Sequence, residues 1–313
     1  MKSRLNIKGT LAEIVRKIEL RSNPKAEYHD RRVSTGFYGI DSLIKWGFKN
    51  GDLVLLAGRP SMGKTALALS IIRNSNLIGK KAVFFTENAS LMTTRLLSME
   101  SGIEPYKLST GRLSAEELQR VKEASNQLRS FPLLIDDEHS ASLDKIKETC
   151  KRLKQEHIDL IVVDNLQSVF LGKNTLFPRR KADYGYIVKT LKGLAKKLGC
   201  SMVVLTTLPR SVERRTDKRP LLSDLDAFGI DLQQVDKVLM LYRDEFYERD
   251  TDERDTARVF VEKDGTSRKI GSALLNTDLR MSRFYDTSPA YSGMYQYLFE
   301  DQDALKARFD WLP

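Results

Sequence analysis

The chain has 313 residues, of which 41% are hydrophobic and 30% are charged. This composition excludes a disordered chain, and the length allows a substantial core in one large α/β domain or in two smaller domains. No apolar run approaches the roughly 18 residues that a membrane helix needs, and the N-terminus lacks the apolar region of a secretory signal. Two cysteines, Cys150 and Cys200, cannot build a disulfide framework or a metal cluster. The sequence therefore predicts a cytoplasmic protein with reduced, buried thiols and no membrane contact.

The net charge of +10 is concentrated in one part of the chain. Residues 173–219 hold 13 basic and 3 acidic side chains, whereas residues 220–265 hold 13 acidic and 6 basic ones. A basic block of this kind is typical of a surface that binds a polyanion. It is equally typical of a lysine-rich solvated helix face, so the charge alone leaves both interpretations open.

The first predicted element is a helix over residues 10–20. Thr10 is the predicted N-cap, and Glu13 stands three residues later, as in a capping box. A polar stretch follows, so we predict that residues 1–32 form a linker helix and a linker. One amphipathic helix cannot bury its own apolar stripe and needs a partner surface in the same chain or on another subunit. The stripe consists of Leu11, Ile14, Val15 and Ile18.

From Val33 onwards, apolar runs of strand length alternate with amphipathic helical segments. This pattern indicates the α/β class, with a mostly parallel sheet and helices on both faces. The predicted strands are 53–58, 82–87, 131–137, 160–165, 202–207 and 238–243, and the predicted helices are 65–74, 91–101, 115–129, 142–156 and 186–198. Residues 257–265 and 269–276 look like antiparallel strands added to one edge. We place this domain over residues 33–284, and residues 285–313 as a tail or a docked helix.

The octapeptide GRPSMGKT matches the phosphate-binding pattern G-x-x-x-x-G-K-[ST]. It follows a predicted strand and precedes a predicted helix, which is the context that the motif needs. In such a loop the backbone amides hold phosphates, Lys64 reaches the β- and γ-phosphates, and the Thr65 hydroxyl binds magnesium. The predicted nucleotide-binding loop consists of Gly58, Arg59, Pro60, Ser61, Met62, Gly63, Lys64 and Thr65.

Two carboxylates stand at the ends of predicted strands. Asp164 ends the run LIVVDN, where P-loop enzymes hold Mg²⁺. Glu87 follows the strand after the P-loop helix and is a candidate for polarising the attacking water. The alternatives are a helix N-cap for Asp164 and a solvated strand-end glutamate for Glu87. The three histidines lack metal-ligand spacing, and we interpret them as structural or surface residues.

Taken in order, these motifs resemble the C-terminal motor domain of the DnaB-type replicative DNA helicases. The resemblance covers about residues 33–275 and includes the strings RLLSMESGI, LIVVDNLQSV, LKGLAKKLGCSMVVLTTLPRSVERRTDKRP and LYRDEFY. It implies a RecA-like P-loop NTPase fold and a hexameric ring, with ATP between subunits and single-stranded DNA threaded through the centre. The N-terminal helix resembles the linker helix that packs on a neighbouring subunit in that family, and we expect the family's separate N-terminal domain to be missing.

The resemblance also implies roles for individual residues. Lys64, Thr65, Asp164 and Glu87 match the family's catalytic positions. Pore loops are expected after Asp164 and around residues 223–230, which include Gly229. The basic stretch 173–181 fits a role in contacting DNA phosphates. Its basic residues are Lys173, Arg179, Arg180 and Lys181.

Three positions depart from the family pattern. Thr207 stands where the family has a glutamine that senses the γ-phosphate, and threonine is too short to make that contact. Lys263 takes the arginine-finger position with a point charge instead of a bidentate fork, and the flanking Arg258 and Arg268 are alternatives. Asp226 replaces a pore-loop arginine, and its carboxylate would repel phosphate. The nucleotide site within one subunit is therefore expected to be intact, and the parts that act in trans or sense DNA are expected to be altered.

By this resemblance the sequence predicts an ATP-dependent DNA helicase or translocase with 5′-to-3′ polarity, which acts on single-stranded DNA in replication. A loader or a primase would be its further partners. The alternative is an ATP-binding ring or adaptor subunit that hydrolyses poorly and acts through a partner helicase. A RecA-like strand-exchange or clock-type ATPase is the third interpretation, which the basic block and the linker helix disfavour.

Overall fold

A sheet of nine strands, in the order β3-β2-β4-β5-β1-β6-β7-β8-β9, organises the described part of the chain. The computed structural model describes residues 32–137, 142–171, 181–265 and 270–287. The predicted linker helix over residues 10–20 lies outside them, so it stays a prediction. The strands are β1 Leu53–Gly58, β2 Ala82–Phe85, β3 Leu133–Asp136, β4 Leu160–Val163, β5 Ser201–Thr207, β6 Lys237–Tyr242, β7 Thr256–Asp264, β8 Gly271–Asp278 and β9 Arg283–Asp286.

Strands β1 to β6 are parallel, and β1 lies between β5 and β6. Strands β7, β8 and β9 continue the sheet beyond β6 in antiparallel pairs. Because the carboxyl ends of parallel strands meet at one edge, every loop that follows β1, β2, β4, β5 or β6 begins at that edge. This topology decides which side chains share a site.

Helices cover both faces of the sheet. They are α1 Tyr38–Leu43, α2 Lys64–Leu77, α3 Ala89–Ser101, α4 Pro105–Thr110, α5 Ala115–Arg129, α6 Leu143–Arg152 and α7 Lys181–Leu198. Short 3₁₀ helices span Leu153–Gln155, Arg210–Arg214, Leu222–Phe228, Leu232–Gln234 and Asp244–Phe246. Helix α5 begins with a capping box, in which Ser114 and Glu117 each accept a hydrogen bond from the other's backbone amide.

Alternate side chains of β1 pack into two separate hydrophobic cores on opposite faces of the sheet. Val54 and Leu56 pack with α1, α2 and α3, whereas Leu53, Leu55 and Ala57 pack with α6 and α7. All five are fully buried, and each larger apolar side chain stabilises the fold by about 1.5–3 kcal/mol on burial. Burial on both faces explains why the central strands are continuous apolar runs instead of alternating ones.

The predicted fold class is confirmed, with small differences at element ends. Each of the six predicted parallel strands is present, and the two antiparallel strands join one edge as expected. Helix α7 begins five residues earlier than predicted, and the short helices α1 and α4 were not predicted. Strand β9 also escaped prediction, and it includes Tyr285 and Asp286, which the sequence analysis assigned to the C-terminal tail. Among the described helices, none combines the length and the apolar character needed to cross a membrane.

A buried ionic cluster lies at the amino end of β6, opposite the P-loop edge. Lys237 is 0% exposed, and its amine contacts Asp52 at 2.9 Å and Asp264 at 3.1 Å. The three charges join the start of β1, the start of β6 and the end of β7. Removing one member of such a group leaves buried charge without compensation, which costs more than the intact group contributes.

We expect Lys237→Met to destabilise the protein by about 3–5 kcal/mol, because Asp52 and Asp264 would lose their buried cation. Urea unfolding followed by circular dichroism measures the change. The matched control is Lys81→Met, which removes an exposed pair with Glu156 and should cost less than about 1 kcal/mol. Equal losses in the two variants would contradict a structural role for the buried cluster.

Candidate nucleotide site

The loop between β1 and α2 adopts a backbone that requires its glycines. Gly63 has φ +98°, and a Cβ atom there would lie 3.1 Å from side-chain atoms of Leu279 and Phe284. A Cβ atom on Gly58 would lie 3.0 Å from the Leu241 carbonyl oxygen. Positive φ and close packing are the conditions that only glycine meets without strain. The glycine spacing of the motif therefore follows from how tightly the loop is enclosed.

Lys64 is the first residue of α2, and its side chain lies against this loop. Its amine donates hydrogen bonds to the carbonyl oxygens of Gly58 and Arg59, each at 3.0 Å. Burial lowers the pKa of Lys64 to about 8, and the charge of Asp164 offsets part of that effect. The amine is thus held across the loop at the position where the motif places the phosphates of a nucleotide.

Thr65 and Asp164 are brought together from different elements. The Thr65 hydroxyl, in the first turn of α2, donates to the Asp164 carboxylate at 2.7 Å. Burial raises the pKa of Asp164, while the Thr65 hydrogen bond and the charges of Lys64 and Arg95 lower it. A hydroxyl beside a carboxylate is the oxygen donor set that Mg²⁺ prefers, so these residues fit the expected metal.

The helix N-cap alternative for Asp164 does not match this geometry. The turn after β4 is held by the neighbouring Asn165, whose side-chain oxygen accepts from the Ser168 amide at 3.1 Å. Asp164 bonds across the sheet edge to Thr65 instead. The local turn therefore leaves the Asp164 carboxylate pointing to the loop.

Glu87 lies two residues beyond the end of β2 and is exposed. Strands β2 and β4 are parallel neighbours in which Phe85 pairs with Val163, so Glu87 and Asp164 both follow strands that end side by side. The parallel strands therefore bring Glu87 to the edge that carries the P-loop and Asp164. Its assignment as the residue that polarises water stays a prediction.

Two arginines, Arg59 and Arg243, link the P-loop to neighbouring segments, a role that was not predicted from the sequence. Arg59 donates to the Leu208 carbonyl at 2.6 Å and forms an ion pair with Glu213 at 2.7 Å. Arg243 donates to the Ser61 carbonyl at 3.2 Å. Arg59 occupies a variable position of the motif, so the pattern carried no signal for it. Arg243 directly follows β6, and the rule that parallel strand ends share an edge would have found it.

Thr207 ends β5 beside Gly58 in the sheet register. Its backbone is held by Gln167, whose side-chain amide donates to Thr206 Oγ1 at 2.9 Å and to the Thr207 carbonyl at 3.2 Å. The Thr207 amide in turn donates to the Gln167 side-chain oxygen at 3.1 Å. The structure thus brings a glutamine to this strand end from the segment after Asp164, which the sequence analysis did not anticipate.

Lys263 lies near the amino ends of the parallel strands, whereas the P-loop of its own chain lies at their carboxyl ends. It pairs with Val238 near the start of β6, and its amine donates to the carbonyls of Leu232 and Val235, the second at 2.6 Å. Arg258 lies at the P-loop end of β7 and forms an ion pair with Glu253. Arg268 lies outside the described residues. The Lys263 amine thus bonds to carbonyl oxygens of its own chain.

The expected DNA-contacting residues are only partly described. Lys173, Arg179 and Arg180 lie outside the described residues. Lys181 is exposed at the start of α7 and donates to the Asp226 carbonyl at 3.2 Å. Gly229 has φ +61°, and a Cβ atom there would lie 2.7 Å from the Lys181 Cβ. The structure therefore brings the start of α7 into contact with the segment predicted as a pore loop.

Comparisons with known proteins agree with this geometry. Residues 32–286 match the sequence model of the family described as DnaB-like helicase C terminal domain. A curated relative, the replicative DNA helicase DnaB of Geobacillus stearothermophilus, is 35% identical over 262 residues, which are 82% of this chain and 57% of the relative. The chain belongs to the family of DnaB-like helicase C-terminal domains, as the motifs predicted.

Solved structures show the same architecture. An ATPase domain of known structure superposes with a TM-score of 0.80 at 25% identity, covering 91% of this chain and all of that one. A DnaB-like replicative helicase studied with its primase interactions gives a TM-score of 0.78 at 25% identity, covering 91% of this chain and 68% of the other. The chain spans about half the length of the curated relatives it matches, from 45% to 57%.

We expect Lys64→Ala to abolish binding of Mg²⁺-ATP or its turnover, because the amine that lies across the loop would be lost. Isothermal titration calorimetry and a phosphate-release assay measure the two effects. Lys80→Ala, at a lysine paired with Asp159 beyond the end of α2, is the control and should leave both unchanged. A Lys64→Ala protein that binds and hydrolyses ATP like the parent would show that the nucleotide site lies elsewhere.

Proposed function

We propose that this chain is an ATP-dependent translocase or helicase that acts on single-stranded DNA. The observation that carries the proposal is the group formed by Lys64, Thr65 and Asp164 at one sheet edge. It places an amine across the P-loop, beside a hydroxyl and a carboxylate that are suited to Mg²⁺. Membership in the DnaB-like helicase family supports single-stranded DNA as the polymer on which it acts.

The described residues suit the steps of ATP hydrolysis. Thr65 and Asp164 would hold Mg²⁺, which neutralises phosphate charge when it is bound. Lys64 would stabilise the charge that develops on the phosphate oxygens. Glu87 would accept a hydrogen bond from the attacking water and hold that water in line with the phosphate. Each role uses a side chain already at the same edge of the sheet.

A hexameric ring with ATP between subunits belongs to the same proposal. The contact between Lys181 and the segment around Gly229 supports a DNA-facing surface built from α7 and the 3₁₀ helix Leu222–Phe228. Backbone phosphates would be the main contacts, because the lysines on the exposed face of α7, Lys181 among them, carry positive charge. Movement from 5′ to 3′ and contact with a primase or a loader are expectations drawn from the family alone.

A second candidate function is an ATP-binding ring or adaptor subunit that hydrolyses poorly and acts through a partner helicase. The position of Lys263 favours it, since the amine bonds to two carbonyls of its own chain. The exposed Asp226 favours it too, because a carboxylate on a DNA-facing segment repels phosphate. Both observations concern the parts that act in trans or on DNA, and the P-loop is common to the two candidates.

Steady-state ATP hydrolysis with and without single-stranded DNA separates the two candidates. For the motor we expect slow basal hydrolysis with modest stimulation by DNA, because Thr207 lacks the carboxamide that links the γ-phosphate to the pore loop in the family. Tight ATP binding with negligible turnover in both conditions would support the adaptor. Native mass spectrometry with and without ATP determines whether a hexamer forms.

The role of Lys263 is tested by substitution. An arginine finger is worth about 10³–10⁵ in rate, and a lysine supplies its charge without the bidentate fork. We therefore expect Lys263→Ala to lower turnover by about ten- to a hundredfold and Lys263→Arg to raise it above the parent. Arg258→Ala and Arg268→Ala are the companion variants. If Lys263→Ala is silent and Arg258→Ala or Arg268→Ala abolishes turnover, the trans-acting cation is that arginine.

A further inference from the structure

The side chain of Arg59 leaves the P-loop and bonds to the segment after β5. Its guanidinium donates to the Leu208 carbonyl at 2.6 Å and to Glu213 Oε1 at 3.0 and 2.7 Å. The side chains of Arg59 and Glu213 are 12% and 31% exposed, so solvent screens this ion pair less than it screens a fully exposed pair. Arg210 also approaches Glu213, but at 3.7 Å and with a side chain that is 91% exposed. The P-loop is therefore fixed to Glu213 mainly through Arg59.

Two residues further along, Arg215 fixes a different segment. Its guanidinium binds both oxygens of Asp224, at 2.7 and 3.1 Å. The Asp224 side chain is 8% exposed and also accepts a hydrogen bond from the Leu221 amide at 2.8 Å. Asp224 thus sets the first turn of the 3₁₀ helix Leu222–Phe228, and Arg215 sets Asp224. A bidentate pair of this kind is directional as well as strong.

The two ion pairs are joined by a short, anchored piece of chain. Glu213 lies in the 3₁₀ helix Arg210–Arg214, and Arg215 is its C-terminal cap residue. Val212 in this helix is 1% exposed and packs in the core that also contains Leu208 and Leu225. Bonded side chains and packed backbone therefore connect the P-loop continuously to Leu222–Phe228.

We infer that the pairs Arg59–Glu213 and Arg215–Asp224 form a strut that transmits changes at the nucleotide to the segment Leu222–Gly229. This inference rests on the proposed function, which places that segment against DNA. The strut couples the nucleotide to this segment without residue 207, whose threonine side chain is too short for the family's contact. Glu213 and Arg215 are positioning residues in this scheme, since neither lies in the loop that holds phosphate.

The test uses a reporter on the segment itself, so that it does not require DNA. Ser223 is exposed, and both native cysteines are buried, so Ser223→Cys provides a selective site for an environment-sensitive fluorophore. We expect Mg²⁺-ATP or a non-hydrolysable analogue to change the fluorescence of the labelled parent. Glu213→Gln, which removes one charge at constant shape, should reduce that change at least threefold, with nucleotide affinity within twofold of the parent.

Asp224→Asn breaks the second pair and should reduce the response similarly. Since the pairs act in series, the double variant should lose no more than the worse single variant, whereas independent pairs would give additive losses. Glu100→Gln is the matched control. Glu100 is 4% exposed and receives two hydrogen bonds from Arg73, but it belongs to α3 and lies outside the proposed path.

Three results would overturn the strut: a parent that binds nucleotide without any signal at residue 223, an unchanged response in Glu213→Gln, or an equal loss in Glu100→Gln.

The failure of the proposed function would give a different set of results. In that case the labelled parent responds to nucleotide and Glu213→Gln does not, but single-stranded DNA neither binds nor stimulates hydrolysis. If DNA does stimulate the parent, Glu213→Gln should lower the ratio of stimulated to basal rate at least threefold.

Discussion

The parallel pairing of β1 with β5 on one side and β6 on the other is the constraint on which the site depends. The register sets Gly58 beside Thr207 and Leu241, so three strand ends meet where the P-loop begins. Strand β4 pairs with β5 in the same direction and delivers Asp164 to Thr65. A slip of one residue in β1 would exchange the side chains of the two cores. The packing of both faces therefore fixes the nucleotide site.

Charge counted along the sequence differs from charge presented to solvent. The block over residues 173–219 carries a net charge of +10, equal to that of the whole chain, yet some of its members have partners within the fold. Lys192 is buried and pairs with Asp236, and Arg215 pairs with Asp224. Both acidic partners come from the acidic stretch that follows. Part of the contrast between a basic block and an acidic block is thus a set of ion pairs between neighbouring elements in the fold.

The positions that depart from the family pattern are integrated into their own chain. The backbone of Thr207 exchanges hydrogen bonds with Gln167, and the amine of Lys263 bonds to the loop between the 3₁₀ helix Leu222–Phe228 and β6. These contacts connect the predicted sensor position to the segment after Asp164 and the predicted finger position to the segment before β6. Both positions are therefore held by hydrogen bonds within their own chain, apart from the P-loop.

The sequence by itself determined the class of fold and the P-loop, because apolar strand runs and a glycine-spaced loop are local patterns. It also indicated Asp164 and Glu87, since both follow strands that must end at one edge. The tertiary structure decided what depends on side chains distant in sequence: the bond from Thr65 to Asp164, the ion pair from Arg59 to Glu213, and the engagement of Lys263. Propensity and spacing carry no information about which long polar side chain finds which partner, because that choice is made by the packing of elements far apart in the chain.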